Sequence, residues 1–369
     1  MSVLSTPSAR RSAPPAPARR GGGGPRRGIR GREGRWGWLF VSPAVTVLGL
    51  FLLAPILMAL WVSLLHWDGQ SNPFTSTEDF VGLDNYADLM TRDGLDRDLF
   101  MVSMRNTLYY VLLVVPLQTV LALGLAIAVN QKVLKAKSAF RTAFYFPSVT
   151  SSIAISTIFL FLFQGSGAVN ELLGYVGVDG PNWFTDAHGL TWTVLDGAGL
   201  VDLSHPPHAL ADGGVLGLSW WDWLAGPSIA MCTIILLAVW TTSGTFMLIF
   251  LAALQDVPAE LEEAARIDGA GRWGVFRHVT LPALRPVMFL VVTLGLISTW
   301  QVFDQVYVMS QGDPANTTLT PAYLSYTEGF DNAQYGKGAA IAFVLLVIIL
   351  AFTALQRFVV RDRDGGDGR

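Results

Sequence analysis

Trp300, Gln301, Asp304 and Gln305 interrupt a long apolar run with a ring, two amides and a carboxylate. Polar side chains are costly towards lipid, so inside an apolar run they turn towards a protein interior or a solute path. Trp300, Gln301 and Asp304, spaced i, i+1 and i+4, are expected on one helix face. Trp240, Thr241, Thr242 and Ser243 form an opposing set in a second run, and Ser151, Ser152 and Ser156 lie in a third. A ring beside hydrogen-bonding groups suits a solute with both C–H faces and hydroxyls. The plainer reading is hydrogen bonding that holds helices together. Asp304 is the one carboxylate assigned to a span.

Other chemistry is sparse. The one cysteine, Cys232, lies in an apolar run and is expected to be a packing residue. The five histidines are scattered outside the apolar runs and no Cys/His group has metal-ligand spacing. No Walker A sequence occurs, so ATP is not expected on this chain by that route. Gly269, Gly271 and Gly274 satisfy G-x-G-x-x-G but follow a helical pattern rather than a strand, which argues against a dinucleotide site.

The elements that carry these residues are membrane spans. The 369 residues are 51% hydrophobic and 14% charged, against about 25% charged in a soluble domain, with a mean hydropathy of +0.44. Six stretches approach the ~20 apolar residues that a bilayer requires: about 36–65, 107–129, 142–163, 227–251, 287–309 and 338–360. Basic residues are distributed unevenly. Nine arginines precede the first stretch. Four basic residues follow the second, four lie between the fourth and fifth, and four end the chain. The other loops hold only Arg92, Arg97, Arg105 and Lys337. The positive-inside rule then predicts six transmembrane helices with both termini cytoplasmic, an all-α polytopic membrane protein in the cell inner or plasma membrane.

Residues 1–35 are rich in Arg, Pro and Gly with little to bury, and read as a disordered cytoplasmic tail attracted to lipid headgroups. Nucleic acid is not expected as a partner. Residues 36–360 form the membrane domain, and 361–369 a cytoplasmic tail. The stretch of about 165–226 carries seven carboxylates and no Lys or Arg, as suits an outer loop. Its Trp220, Trp221 and Trp223 read as an interfacial aromatic belt, with sugar stacking as the sharper alternative.

The segment of about 254–286, containing "LEEAARIDGAGRWGVFRHVTLPALRP", is more elaborate than a connector needs to be. Asp256 is expected to cap a helix with Pro258 in its first turn. Leu254, Val257, Leu261 and Ala264/Ala265 would make an apolar face, and Glu262 would pair with Arg266. Gly269 permits the left-handed turn that stops the helix. A second helix is expected over 272–279, with Trp273, Phe276 and Val279 inward and Pro282 ending it.

Glu263-Ala264-Ala265, three residues, Gly269, nine residues, then Val279-Thr280-Leu281-Pro282 resembles the EAA loop of binding-protein-dependent ABC importer permeases. "FVSPAVTVLGLFLLAPI", "FYFPSVTSSIAISTIFLF" and "YVMSQGDPANTTLTPAYLSYTEGF" resemble the carbohydrate, maltose-permease-like class, with Gly312-Asp313-Pro314 where that class has Gly-Gly-Pro. The resemblance spans roughly 37–360. It implies the type I importer permease fold and a transport subunit without catalysis. ATP and Mg would sit on a partner ATP-binding subunit. It also implies a second, related permease (a heterodimer) and an extracytoplasmic solute-binding protein. By the same resemblance, Glu263, Ala264, Ala265, Asp268, Gly269, Leu281 and Pro282 would dock to the ATPase. Trp240, Thr241, Ser243, Trp300, Gln301 and Asp304 are the candidate solute path. The expected solute is a sugar or oligosaccharide, with glycerol phosphate or a polyol as the alternative. A self-sufficient secondary transporter is the reading from a different class, but it should show internal repeats and several intramembrane charges.

Overall fold

The computed structural model describes residues 30–75, 79–131, 135–202 and 207–364. The Arg-rich expectation for 1–29 and the last five residues lie outside them, as does Lys132. The chain divides into two compact units, Met1–Ile56 and Leu57–Arg369. The first holds α1 (Arg30–Leu48), a π turn (Gly49–Leu53) and the start of α2 (Ala54–Val62). Pro55 has no N–H to give the preceding turn, and the wider i→i−5 turn before it accommodates that loss. Gly37–Val62 is thus one apolar helical run of 26 residues.

In the second unit the chain leaves α2 through a loop tied to α3 (Asp84–Met90). The Asn85 amide donates to the carbonyls of Ser63 and Leu65, both at 2.9 Å. Then come α4 (Leu95–Asn130), α5 (Lys137–Val149) and α6 (Ser152–Leu162). The stretch 165–226 folds into α7 (Ala168–Tyr175), α8 (Leu190–Gly197), α9 (His208–Ala211), the hairpin β1 (Gly214–Val215) and β2 (Leu218–Ser219), and α10 (Trp220–Leu224). In that hairpin Gly214 faces Ser219. The Trp220–Trp223 group is built into this fold. Trp223 Nε1 donates to the Val215 carbonyl (3.0 Å), and Trp221 stacks on Trp192.

The core helix is α11 (Ile229–Gln255), packed along α4. Lipid tails give helices no hydrophobic reason to associate, so small residues that let backbones approach do much of the work. Ala122 and Ala126 on α4 are fully buried beside Met247 and Phe250 of α11. Gly244 of α11 lies so close to the Phe144 carbonyl of α5 that a methyl there would overlap it. After α11 follow α12 (Ala259–Ile267), α13 (Arg272–Val275), a π turn (Phe276–Thr280), α14 (Leu281–Ala283) and α15 (Arg285–Trp300). The chain ends with α16 (Asp304–Met309), α17 (Pro321–Tyr326), a π turn (Thr327–Asp331) and α18 (Tyr335–Asp364).

Four helices are long and apolar enough to cross a membrane, or up to six crossings if each of two bent pairs counts as one. The expected third span is not straight: α5 and α6 meet at 96° around Thr150 and Ser151. Thr150 Oγ1 bonds the Phe146 carbonyl and Ser148 Oγ that of Tyr145, so side chains satisfy the carbonyls that the break exposes. The expected fifth span, 287–309, is also broken. It ends at Trp300, and Gln301-Val302-Phe303 separate it from α16. Thr299 Oγ1 bonds the Gly295 carbonyl (2.8 Å), and the freed Val302 carbonyl accepts from Thr320 Oγ1 (3.1 Å). Irregular backbone at membrane depth is tolerated where it is buried or lines a cavity. Both breaks do line one.

Candidate functional site: a polar cavity and an exposed helical knob

Between α5, α6, α11 and α15 lies a cavity of about 500 Å³. Ser148, Thr150, Ser152, Thr241, Thr242 and Gln301 face it, together with Thr245, Ser298 and Gln305. A smaller cavity of about 190 Å³ shares Thr242, Ser298, Gln301 and Gln305 and adds Phe303 and Asp304. The helix breaks produce this polarity. The bend at 150–151 turns Thr150 and Ser152 inward, and the break at 301–303 releases Gln301 from the helix register. Among the described residues, neither cavity has a Lys or Arg in its wall.

Of the expected path residues, Thr241, Gln301 and Asp304 reach these cavities. Trp240 is 42% exposed and stacks on Phe159 instead. Ser243 is buried, with its hydroxyl on the Trp240 carbonyl (3.0 Å). Trp300 does not share a face with Gln301 and Asp304, because the helix ends between them. It is 1% exposed, packed with Val111, Val115, Leu345 and Ile349, and its Nε1 has no hydrogen-bond partner among the described residues. Ser152 lines the larger cavity, whereas Ser156 is buried with an unbonded hydroxyl.

Gln118 was not expected. It is fully buried in α4 and accepts from Thr242 Oγ1 at 2.6 Å, holding a cavity-lining hydroxyl in place. Its Nε2 packs against Gly295 and has no bond. A lone Gln within an apolar run was the available signal.

At the other end of α11 the 256–284 segment forms a projecting knob. Gly269 has φ +89°; its N–H donates to Arg266 O (3.1 Å) and the Ala270 N–H to Ala265 O (2.9 Å). This is a Schellman stop, which needs a left-handed residue at that position. Glu262 and Arg266 pair at 3.2 Å as expected. Four expectations fail. Asp256 closes α11, and α12 starts from an extended Pro258 with no side-chain cap. The apolar side of α12 is not packed inward: no residue of the helix is buried, Leu261 is 52% exposed and Ile267 86%. Trp273 is exposed too, Phe276 and Val279 are half-buried, and Val275 and Thr280 are the buried pair, a five-residue step that the wider π turn over Phe276–Thr280 allows. Pro282 does not end the helix, which runs on to Ala283 before a 66° bend into α15. Fully buried Leu284 anchors that bend among Ala126, Phe250 and Leu254. Glu263, Ala264, Asp268 and Gly269 are exposed, Ala265 half-buried, and Leu281 and Pro282 half-buried at the base.

Several helices long and apolar enough to cross a membrane, a polar cavity beside the most buried of them, and an exposed charged helical segment at its end describe a multi-pass membrane protein. Residues 119–364 match the family described as binding-protein-dependent transport system inner membrane component, and the chain belongs to it. It is 30% identical over 330 residues to the lactose transport system permease protein of Rhizobium radiobacter, covering 89% of this chain and 94% of that protein. It is also 30% identical to the arabinooligosaccharides transport system permease protein of Bacillus subtilis, over 86% of each. The trehalose/maltose transport system permease protein of Thermococcus litoralis is 29% identical, over 90% of this chain and 96% of that protein. The fold is shared with a bacterial ABC transporter involved in import of the acidic polysaccharide alginate (TM-score 0.66, 19% identity, 90% of this chain and 98% of that one).

Proposed function

We propose that this chain is one of two membrane subunits of an ATP-driven importer for a neutral sugar or short oligosaccharide. A binding protein outside the membrane delivers the solute. The observation that carries the reading is the central cavity, whose polar wall groups are hydroxyls and amides set among apolar side chains, with no cation among the described residues. Such a wall complements sugar hydroxyls, whereas glycerol phosphate would find no positive partner there. Relatives named for lactose, arabinooligosaccharides and trehalose/maltose support the same class.

The knob supplies the coupling. Closure of an ATP-binding partner on ATP pushes on α12, with Glu263 meeting a basic residue and Leu281 and Pro282 forming the base of the lever. The Schellman corner keeps the angle, and the α13–α15 bend at Leu284 passes the movement to the helices that wall the cavity. The basic loops and both termini face the cytoplasm in this arrangement. ATP and Mg bind the partner, and a related permease completes the path.

Gentle-detergent purification of the tagged chain from its native membrane, followed by mass spectrometry, tests the assembly. An ATPase, a second permease and a secreted binding protein are expected in stoichiometric amounts. A folded chain that reproducibly travels alone contradicts the reading.

A further inference from the structure

At the end of α11 opposite the knob lies a third cavity of about 320 Å³, sharing no wall residue with the central pair. The start of α4, residues 187–192, α10 and residues 315–317 enclose it. Arg105 projects into it and is only 9% exposed. Its Nε and Nη2 donate to Asn106 Oδ1 (3.4 and 3.0 Å). Asn106 is itself fixed by donating to the carbonyls of Asn316 and Leu319 (2.7 and 3.0 Å).

The remaining nitrogen, Nη1, lies 3.8 Å from Asp222 Oδ1. That is beyond hydrogen-bond reach. Asp222 Oδ2 is already engaged by the N–H and hydroxyl of Ser219 (3.2 and 2.7 Å). A donor and an acceptor therefore face each other across a gap, each with unused capacity, and Asp222, with its side chain 43% exposed, leaves the gap open to a solute. Trp192 and Trp221 stack beside them at 4.2 Å and 9°. Trp192 Nε1 bonds the Trp221 carbonyl (3.0 Å), so the platform is already set.

We propose that this cavity is an outer saccharide subsite. A neutral sugar ring lies on the outer face of Trp221, which buried Trp192 backs on its other side, while Arg105 Nη1 donates to one hydroxyl and Asp222 Oδ1 accepts from its neighbour. Aromatic plane, planar donor and carboxylate acceptor match the C–H face and vicinal hydroxyls of a pyranose. Asp222 disfavours an acidic sugar at the same place. The subsite rests on the sugar reading and extends it to a second station ahead of the central path.

The test uses the full chain in lipid nanodiscs and a panel of lactose, maltotriose, arabinotriose and, as an acidic control, trigalacturonate. Saturation-transfer NMR reads binding, and hydrogen exchange of 219–226 in the unaltered chain provides a readout free of substitutions. One of the neutral sugars is expected to bind and to slow exchange there. Trp221→Ala and Arg105→Lys should each weaken that binding by roughly tenfold, while Trp221→Phe should restore most of it. Binding unchanged in both weakened variants, with exchange of 219–226 unaffected, overturns the subsite. If the same sugar is nevertheless taken up by cells carrying the whole transporter, the sugar reading survives alone. No binding and no uptake of any sugar overturns both. Loss of binding-protein capture with sugar binding intact identifies a protein contact instead, and equally overturns the subsite.

Discussion

Gln301 reaches the central cavity from a segment that belongs to no helix. Removing it deletes one hydrogen-bonding partner of a neutral solute. Gln301→Ala should raise the sugar concentration for half-maximal uptake about three- to tenfold, the worth of one such bond. Trp300→Phe should leave uptake unchanged, since Trp300 packs away from the cavity and its buried Nε1 is already unbonded. Thermal unfolding of that variant in detergent should fall only modestly, because loss of the unbonded Nε1–H partly offsets the void left by the smaller ring. The same measurement separates two glycines. Gly295→Ala presses on the Gln118 amide, which can swing, whereas Gly244→Ala presses on the Phe144 backbone, which cannot. Gly244→Ala should therefore cost more, in the range of about 1–3 kcal/mol or above for overpacking; equal losses would contradict the packing described.

At the scale of elements, the knob and the two broken spans bear the argument. Gly269 has no atom near the place where a Cβ would stand, so Gly269→Ala meets only the backbone cost of φ +89°, about 1–2 kcal/mol. It should loosen the corner and lower ATP-dependent uptake while expression and membrane insertion remain normal. Glu263→Lys should uncouple transport more completely by reversing the docking charge, and wild-type uptake in that variant would sink the coupling role. The corner was legible in the sequence because glycine after a helical pattern has one dominant use. The apolar face of α12 was misread because periodicity shows that a face exists and not what covers it. The breaks were illegible for a related reason. Hydropathy counts Thr150 and Gln301 as minor dips, while the Thr320 hydroxyl that satisfies the freed Val302 carbonyl lies 18 residues away, outside the run being averaged. Gln118 shows the same limit, since its partner Thr242 lies in another span.

For the whole molecule, the proposed topology puts the knob and both termini on one side and the 165–226 fold on the other. Single cysteines introduced at Asp268 and at Val176, with Cys232 replaced by Ala, should label from opposite sides of right-side-out vesicles with an impermeant maleimide. Both positions are exposed, so labelling of the two from one side would overturn the arrangement. Composition and the distribution of basic residues already carried the polytopic character. The fold of 165–226 was beyond them, because its ties, such as Tyr109 to the Asp222 and Trp223 carbonyls, join segments more than a hundred residues apart.

The most direct test of the central claim is ATP-dependent sugar uptake by liposomes holding this chain with its co-purified ATPase and second permease, supplied with the binding protein. Uptake should require all four proteins, with the binding protein outside, and should fall to background with Glu263→Lys in an otherwise assembled complex. Sugar entry that proceeds equally without ATP, or with this chain alone, would contradict the account.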